Sequence, residues 1–229
     1  MGKLFTEQFA FSRGDSVVVI GLGRFGLSVA RSLMDLGHDV MGIDADAEPV
    51  QRWADQLTHA VQADATDVAV MRQLGVADFA HAIVGIGTDQ AASLMTLMAL
   101  TELEIRDIWL KALTPAHGRI AERIGAHHVV YPEADMGTRV AHLVSGRMMD
   151  FIEFDDGFAI AKIHAPPSTH GQTLKDAGVR ERYGVTVVGV KRAHADFQHA
   201  APDTRVLAGD LLIVSGPTRK VERFAGLSR

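Results

Sequence analysis

The 229-residue chain contains no cysteine. That alone excludes disulfides, thiolate metal sites and a cysteine nucleophile. No apolar run approaches the ~18 residues a membrane-spanning helix requires. The first residues, MGKLFTEQFAFSRGD, lack the apolar centre of a signal peptide. The start MGKLFT, with Gly2 and Thr6, fits the loose myristoylation pattern, which at this length is read as coincidence. There is no run of Lys or Arg, and the formal net charge is −5, so a nucleic-acid partner is not expected. A Walker lysine-serine pattern and zinc-ligand spacing are also missing, which argues against a nucleotide hydrolase and a zinc site. The expectation is a soluble, cytosolic protein.

What is present is a chain able to bury a core, with 47% apolar residues, in one large or two modest domains. From residue 16 to 131, short apolar strands alternate with helices. The strands are SVVVIG (16–21), DVMGID (39–44), HAVQAD (59–64), HAIVGI (81–86), DIWLKA (107–112) and HHVVYP (127–132). The first is an unbroken apolar run, as strands covered on both faces tend to be. Phe25, Val29, Leu33 and Leu36 form a stripe expected to pack the first helix on the sheet, and Gly37 ends that helix. Asp89 to Glu104 reads as a largely buried helix. The fold class is therefore α/β, a Rossmann-like doubly wound parallel sheet.

A further helix follows Pro132, and then the pattern changes. FIEFDDGFAIAKIH reads as strand, turn, strand; YGVTVVGVKR and LLIVSG as strands; APPSTHGQTL and AAPDTRVLAGD as loop and turn. PTRKVERFAGL closes the chain as a helix with Pro217 at its first position. The expected organisation is an arm over 1–14, a nucleotide-binding domain over 15–150 that includes a connector helix, and a smaller α/β domain over 151–229.

The motif GLGRFG places Gly21, Gly23 and Gly26 between the first strand and helix. The first glycine permits the tight turn, the second lets backbone approach a pyrophosphate, and the third lets helix and strand pack closely. Helix N-terminal amides then face the phosphates. Asp44 ends the next strand, 18 residues after Gly26, where an acid bonds ribose hydroxyls. Arg24 opposes the helix dipole, which a nearby anion would explain; a solvated arginine is the alternative. Asp64 and Thr66 stand where an adenine edge would lie, and Thr66 or Asp67 could equally cap the next helix. Gly85 and Gly87 lie on the crevice side after the fourth strand, or make a plain turn capped by Thr88.

No general acid–base set accompanies this crevice. His164, His170, His194 and His199 are scattered, and His127 and His128 point to opposite faces of a strand. A small NAD-dependent oxidoreductase is the alternative reading of the glycine motif and Asp44, which disfavours NADP. It lacks a visible proton-handling residue.

The run VIGLGRFGLSVARSL, Asp44, ADATD, VGIGTDQAAS, IWLKA, IGAHHVVYPEADMG and GDLLIVSG is similar to the RCK (KTN) regulatory subunits of Ktr/Trk-type potassium uptake systems, most closely the Ktr A type. The resemblance implies a cytosolic ring, usually of eight subunits, docked beneath a membrane-embedded channel subunit of the Ktr B or Trk H type. It implies ATP or ADP in the crevice, or NAD(H) in Trk-type relatives, with ATP favouring conduction and ADP closure. Carried over, Gly21, Gly23, Arg24 and Phe25 face phosphates, Asp44 holds ribose, and Asp64, Ala65 and Thr66 line adenine. Glu133 in PEADMG matches an acid that faces the γ-phosphate region with a cation (Mg, Ca or Na). The helix dipole explains Glu133 and Asp135 equally well. Some relatives bind cyclic di-AMP on the C-terminal lobe, for which Arg192 and Pro202 are the matching contacts. The implied function is regulatory, with no bond to break.

Overall fold

The computed structural model describes residues 16–145, 148–154 and 156–228. The 1–14 arm and the Gly2–Thr6 pattern lie outside them. The chain divides into two compact units between Glu133 and Ala134.

In the first unit all six expected strands form: β1 (Ser16–Ile20), β2 (Asp39–Asp44), β3 (His59–Gln62), β4 (His81–Val84), β5 (Asp107–Lys111) and β6 (His128–Val130). They make one parallel sheet in the order β3-β2-β1-β4-β5-β6. The order reverses beside β1, and ligands bind open α/β sheets at that switch point, outside the carboxyl ends of the strands. The apolar run in β1 is explained by its two covered faces. Val18 and Ile20 join a core with Met71, Leu97 and Leu100, whereas Val17 and Val19 join another with Ala30, Val40 and Leu57.

The helices are α1 (Arg24–Asp35), α2 (Ala47–Trp53), α3 (Val68–Gln73), α4 (Gln90–Glu102) and α5 (Pro115–Ile124). Two expectations about them need correction. The buried residues of α1 are Gly26 and Ala30, while Leu36 is 76% exposed. Small residues take the closest contact with β1; of the stripe, Leu33 packs on the sheet core, and Phe25, Val29 and Leu33 line an apolar groove with the strand residues Ile83, Trp109 and Val130, so only Leu36 departs from the expected face. On α4, Leu97 and Leu100 are buried, yet Met95 and Met98 are 52% and 58% exposed. Asp67 caps α3 through the Ala69 and Val70 amides, and Asp89, not Thr88, caps α4.

The helix α6 (Pro132–Val144) begins at the end of the first unit, and most of it groups with the second. Its side chains meet that unit: Arg139 Nη2 lies 2.7 Å from Asp150 Oδ1, and the His142 ring packs at 4.3 Å on Phe151. The second unit is a five-stranded antiparallel sheet, β10-β9-β11-β8-β7. Its strands are β7 (Asp150–Phe154), β8 (Phe158–His164), β9 (Thr186–Lys191), β10 (Phe197–His199) and β11 (Leu211–Pro217). The short β10 and the helices α7 (Leu174–Ala177) and α8 (Val179–Tyr183) have no counterpart in the sequence reading. The closing helix, α9 (Thr218–Ala225), starts one residue late, with Pro217 as its cap and as the end of β11. Phe224 and Val221 anchor α9 on the sheet, both fully buried.

Candidate functional site

At the carboxyl ends of β1–β4 lies a crevice of about 500 Å³, lined among others by Gly21, Gly23, Asp44, Asp64, Ala65, Thr66, Gly85 and Gly87. Eight residues singled out in the sequence are thus brought to one cavity, whose size lies in the ordinary small-ligand range of about 300–1,000 Å³.

The glycines are there for different steric reasons. Gly21 has φ +90°, and a Cβ on it would stand 3.0 Å from the Ile86 nitrogen. A Cβ on Gly26 would stand 2.0 Å from the Gly21 carbonyl oxygen, so this glycine is the packing one and lies behind the crevice wall. Gly85 closes the same knot, with its amide donating to Ile20 O at 2.7 Å. Gly23 faces open space, since a Cβ there would meet nothing within 4 Å. Its backbone is free to be approached.

Asp44 is fixed by the loops on either side of it. Its Oδ2 accepts the Leu22 amide at 2.6 Å and its Oδ1 the Asp46 amide at 2.9 Å. Asp64 Oδ1 accepts both the Thr66 hydroxyl (2.7 Å) and the Thr66 amide (2.9 Å), and these bonds hold its carboxyl below the usual carboxylate range. Asp64 is therefore an ionised, acceptor-only wall of the cavity.

Arg24, Phe25 and Glu133 stand apart from this lining. Phe25 faces the apolar groove beside α1. Glu133 Oε1 accepts from Lys111 Nζ at 2.6 Å, and the Lys111 ammonium, reinforced by the nearby Arg24 charge, keeps the Glu133 carboxyl low. Lys111 is the residue that sequence reasoning missed. It ends β5, is only 8% exposed, and sits over the Phe25 ring at 5.7 Å. A Cβ on Gly87 would come within 3.1 Å of its Nζ, so the ammonium lies against the crevice wall. A lysine near the end of the apolar run DIWLKA, at the carboxyl edge of a doubly wound sheet, was the available signal.

Among the described residues no group of three or more His, Asp or Glu has metal-binding geometry. His127 Nδ1 accepts the Ile108 amide at 3.1 Å while His128 stacks on Trp109 at 4.0 Å, so the adjacent pair is divided between separate partners. In the second unit Arg192 is engaged by Asp210 (Nε to Oδ1, 3.1 Å) and by the Arg205 carbonyl (2.7 Å). The Pro202 carbonyl accepts the Lys175 amide at 2.9 Å. Among the described residues no helix is long and apolar enough to cross a membrane.

Residues 17–132 match the TrkA-N domain family and residues 158–227 the TrkA-C domain family. The chain is 35% identical, over 226 residues and 98% of each chain, to the Ktr system potassium uptake protein A of Bacillus subtilis (strain 168). It is 37% identical over 207 residues to Ktr system potassium uptake protein C of the same organism, covering 90% of this chain and 94% of that one. The fold is also that of the GsuK channel bound to NAD, with a TM-score of 0.63 at 20% identity, over 95% of this chain. This chain spans 40% of the GsuK chain. A GsuK structure bound to ADP matches with a TM-score of 0.51 at 23% identity, over 59% of this chain and 35% of that one.

Proposed function

Because the chain belongs to the family that joins a TrkA-N domain to a TrkA-C domain, we propose that it is a nucleotide-sensing regulatory subunit of a potassium uptake system. The observation that carries this reading is the glycine-walled crevice, with Asp44 fixed at its rim, in a chain aligned end to end with a Ktr protein A. The crevice fits an adenine nucleotide in chemistry as well as size. Gly23 leaves space for phosphate oxygens at the start of α1, whose N-terminal amides favour an anion. Asp44 and Asp64 supply acceptors for ribose and base.

In this reading ATP favours the conducting state of a membrane-embedded channel subunit and ADP the closed one. The nucleotide supplies only a charge at its terminal phosphate; this chain's residues convert it. Arg24 at the first position of α1 attracts that charge, and Glu133 with Lys111 responds to it at the base of α6. A cation shared by Glu133 and a γ-phosphate would compete with Lys111 for the carboxylate. The energetics are modest. Driving a two-state gate from 1:99 to 99:1 takes about 5.5 kcal/mol, or about 0.7 kcal/mol per site in a ring of eight. A charge-assisted hydrogen bond is worth ~1.5–3 kcal/mol, so a small difference between ring shapes suffices. The ligand must discriminate between those shapes, not merely bind tightly.

Met95 and Met98, exposed on α4 and lining one shallow surface with Ile124, support an assembled form, since contiguous apolar surface is ordinarily covered by a neighbour. The protein would act in the cytoplasm, attached through its channel. Cyclic di-AMP at Arg192 and Pro202 would have to share Arg192 with Asp210.

The test is size-exclusion with light scattering in ATP, ADP and NADH, on wild type and Arg24→Ala. An assembly near eight subunits whose shape or stability differs between ATP and ADP, with the difference lost in Arg24→Ala, is expected. A small oligomer indifferent to ATP and stabilised only by NADH would overturn the reading in favour of the oxidoreductase.

A further inference from the structure

We propose that the first eleven residues, MGKLFTEQFAF, dock as an amphipathic helix in the apolar groove beside α1, so that the chain's own arm is the groove's occupant. This docking is independent of what the crevice binds.

The groove has a volume of about 510 Å³. Along α1 it runs from Leu33 to Phe25, about 12 Å of helix. Val17, Ile83, Trp109 and Val130 supply its floor from β1, β4, β5 and β6. β5 lies inside the sheet, between β4 and β6, and an interior parallel strand is ordinarily covered on both faces. One face of β5 obeys that rule: Ile108 and Leu110 are fully buried, in a cluster with Leu97 and Leu100 of α4. The other does not. Trp109, which alternates with them, is 38% exposed on the groove floor. An apolar wall of this size on an interior strand calls for a cover.

The arm has the chemistry, the length and the starting point to supply it. Three of the chain's ten phenylalanines stand in its first eleven residues, whereas solvated tails are poor in aromatics. At 3.6 residues per turn, Leu4, Phe5, Phe9 and Phe11 share one side of a helix, and Lys3, Thr6 and Glu7 the other. So short a helix is marginal in water and needs an apolar surface to lie on, as in helix-in-groove recognition. Leu4 to Phe11 would span about 10 Å, a match to the groove. The chain also enters β1 at the right place. Val17, the second residue of β1, lines the groove, as do His38 and His81 at the same amino edge of the sheet. Residues 12–15, SRGD, are left to make the turn, which Gly14 permits. A segment tethered this closely acts at a roughly millimolar effective concentration, which a second copy in micromolar solution does not reach.

The experiment follows Trp109 fluorescence in a Trp53→Phe background, where Trp109 is the only tryptophan. Three proteins are compared: the full chain, a form lacking residues 2–12, and the full chain carrying Phe5→Ser with Phe9→Ser. Each is also melted. The truncation is expected to shift Trp109 emission to the red and to lower the melting temperature by about 4 °C or more. The double substitution should do the same with the arm's length unchanged. A synthetic peptide of residues 1–14, added to the truncated protein, should reverse the red shift and saturate. Emission and melting that ignore both the truncation and the double substitution overturn the proposal. A truncated protein whose emission the peptide leaves unchanged overturns it too. So does a blue shift that grows with protein concentration equally in the full and truncated chains, since a second copy then covers the groove.

Discussion

Gly26 and Gly21 meet so closely that a Cβ on Gly26 would lie 2.0 Å from the Gly21 carbonyl oxygen. The contact ties the start of α1 to the end of β1, and so fixes where the glycine turn between them stands. Gly26→Ala must therefore move backbone, not a flexible side chain. It is expected to cost about 1–3 kcal/mol or more, lowering the melting temperature by about 2–4 °C per kcal/mol in a chain of this size. Nucleotide affinity should fall with it, because the turn itself shifts. Gly23→Ala is the control: with nothing within 4 Å of its Cβ, it should fold normally and lose affinity alone. Melting and calorimetric titration of the two variants separate these roles.

Asp44 links two loops through its two oxygens. Asp44→Ala leaves the half-buried Leu22 amide contact unmade, with an expected loss of about 1–3 kcal/mol of stability. Asp44→Asn keeps one acceptor oxygen and should retain more of the fold while weakening ribose binding by about tenfold. Equal nucleotide affinity in Asp44→Asn and wild type would count against a ribose role.

The pH dependence has a definite sign. Burial pushes the Asp107 carboxyl up, but hydrogen bonds from His81 and Trp109 and the adjacent histidine charges outweigh it and hold it below 3.8. Glu133 is held below 4.5, chiefly by Lys111. A depressed carboxyl stabilises the fold above its unfolded value, and that contribution is lost as pH falls through the folded value. Denaturant titrations of wild type and Asp107→Asn should differ above about pH 5 and converge as the pH falls through the folded value of the Asp107 carboxyl. A difference that persists unchanged to pH 2 would show that the carboxylate charge is not its origin.

Arg192 is a structural cation whatever else it contacts. Asp210 is 2% exposed and receives the Arg192 guanidinium and the Leu207 amide. Arg192→Ala strands that carboxylate. A buried pair broken on one side costs about 3–5 kcal/mol, and the partial exposure of Arg192 reduces this to about 1–3 kcal/mol. Scanning calorimetry should show the loss without any ligand present. An unchanged transition would leave Arg192 free for a ligand role alone.

The legible parts of the sequence were those encoded locally. Six strands could be placed because each apolar run is bounded by turn residues. Gly21, Gly23, Gly26 and Asp44 could be assigned because their spacing is a backbone requirement. On α1 only Leu36 misled, because apolar spacing marks a face but does not say where its cover ends; Gly26 and Ala30 took the closest contact with the sheet. The exposed Met95 and Met98 on α4 misled in the same way. The three-residue β10 carries too little periodicity to be seen before β9 is there to pair with it.

By itself, then, the sequence determined the parallel α/β plan, the glycine turn after β1 and the acid at the end of β2, since sterics and periodicity act between near neighbours. Tertiary structure alone decided the pairing of Lys111 with Glu133. It arises because β5 and β6 lie side by side with Lys111 opposite Val130, just before the turn into α6. It also decided that Thr96, one polar residue among many on a helix, would be buried without a hydrogen-bond partner among the described residues. Hydrogen-bond satisfaction is a property of what surrounds a group in space, and no spacing along the chain records it.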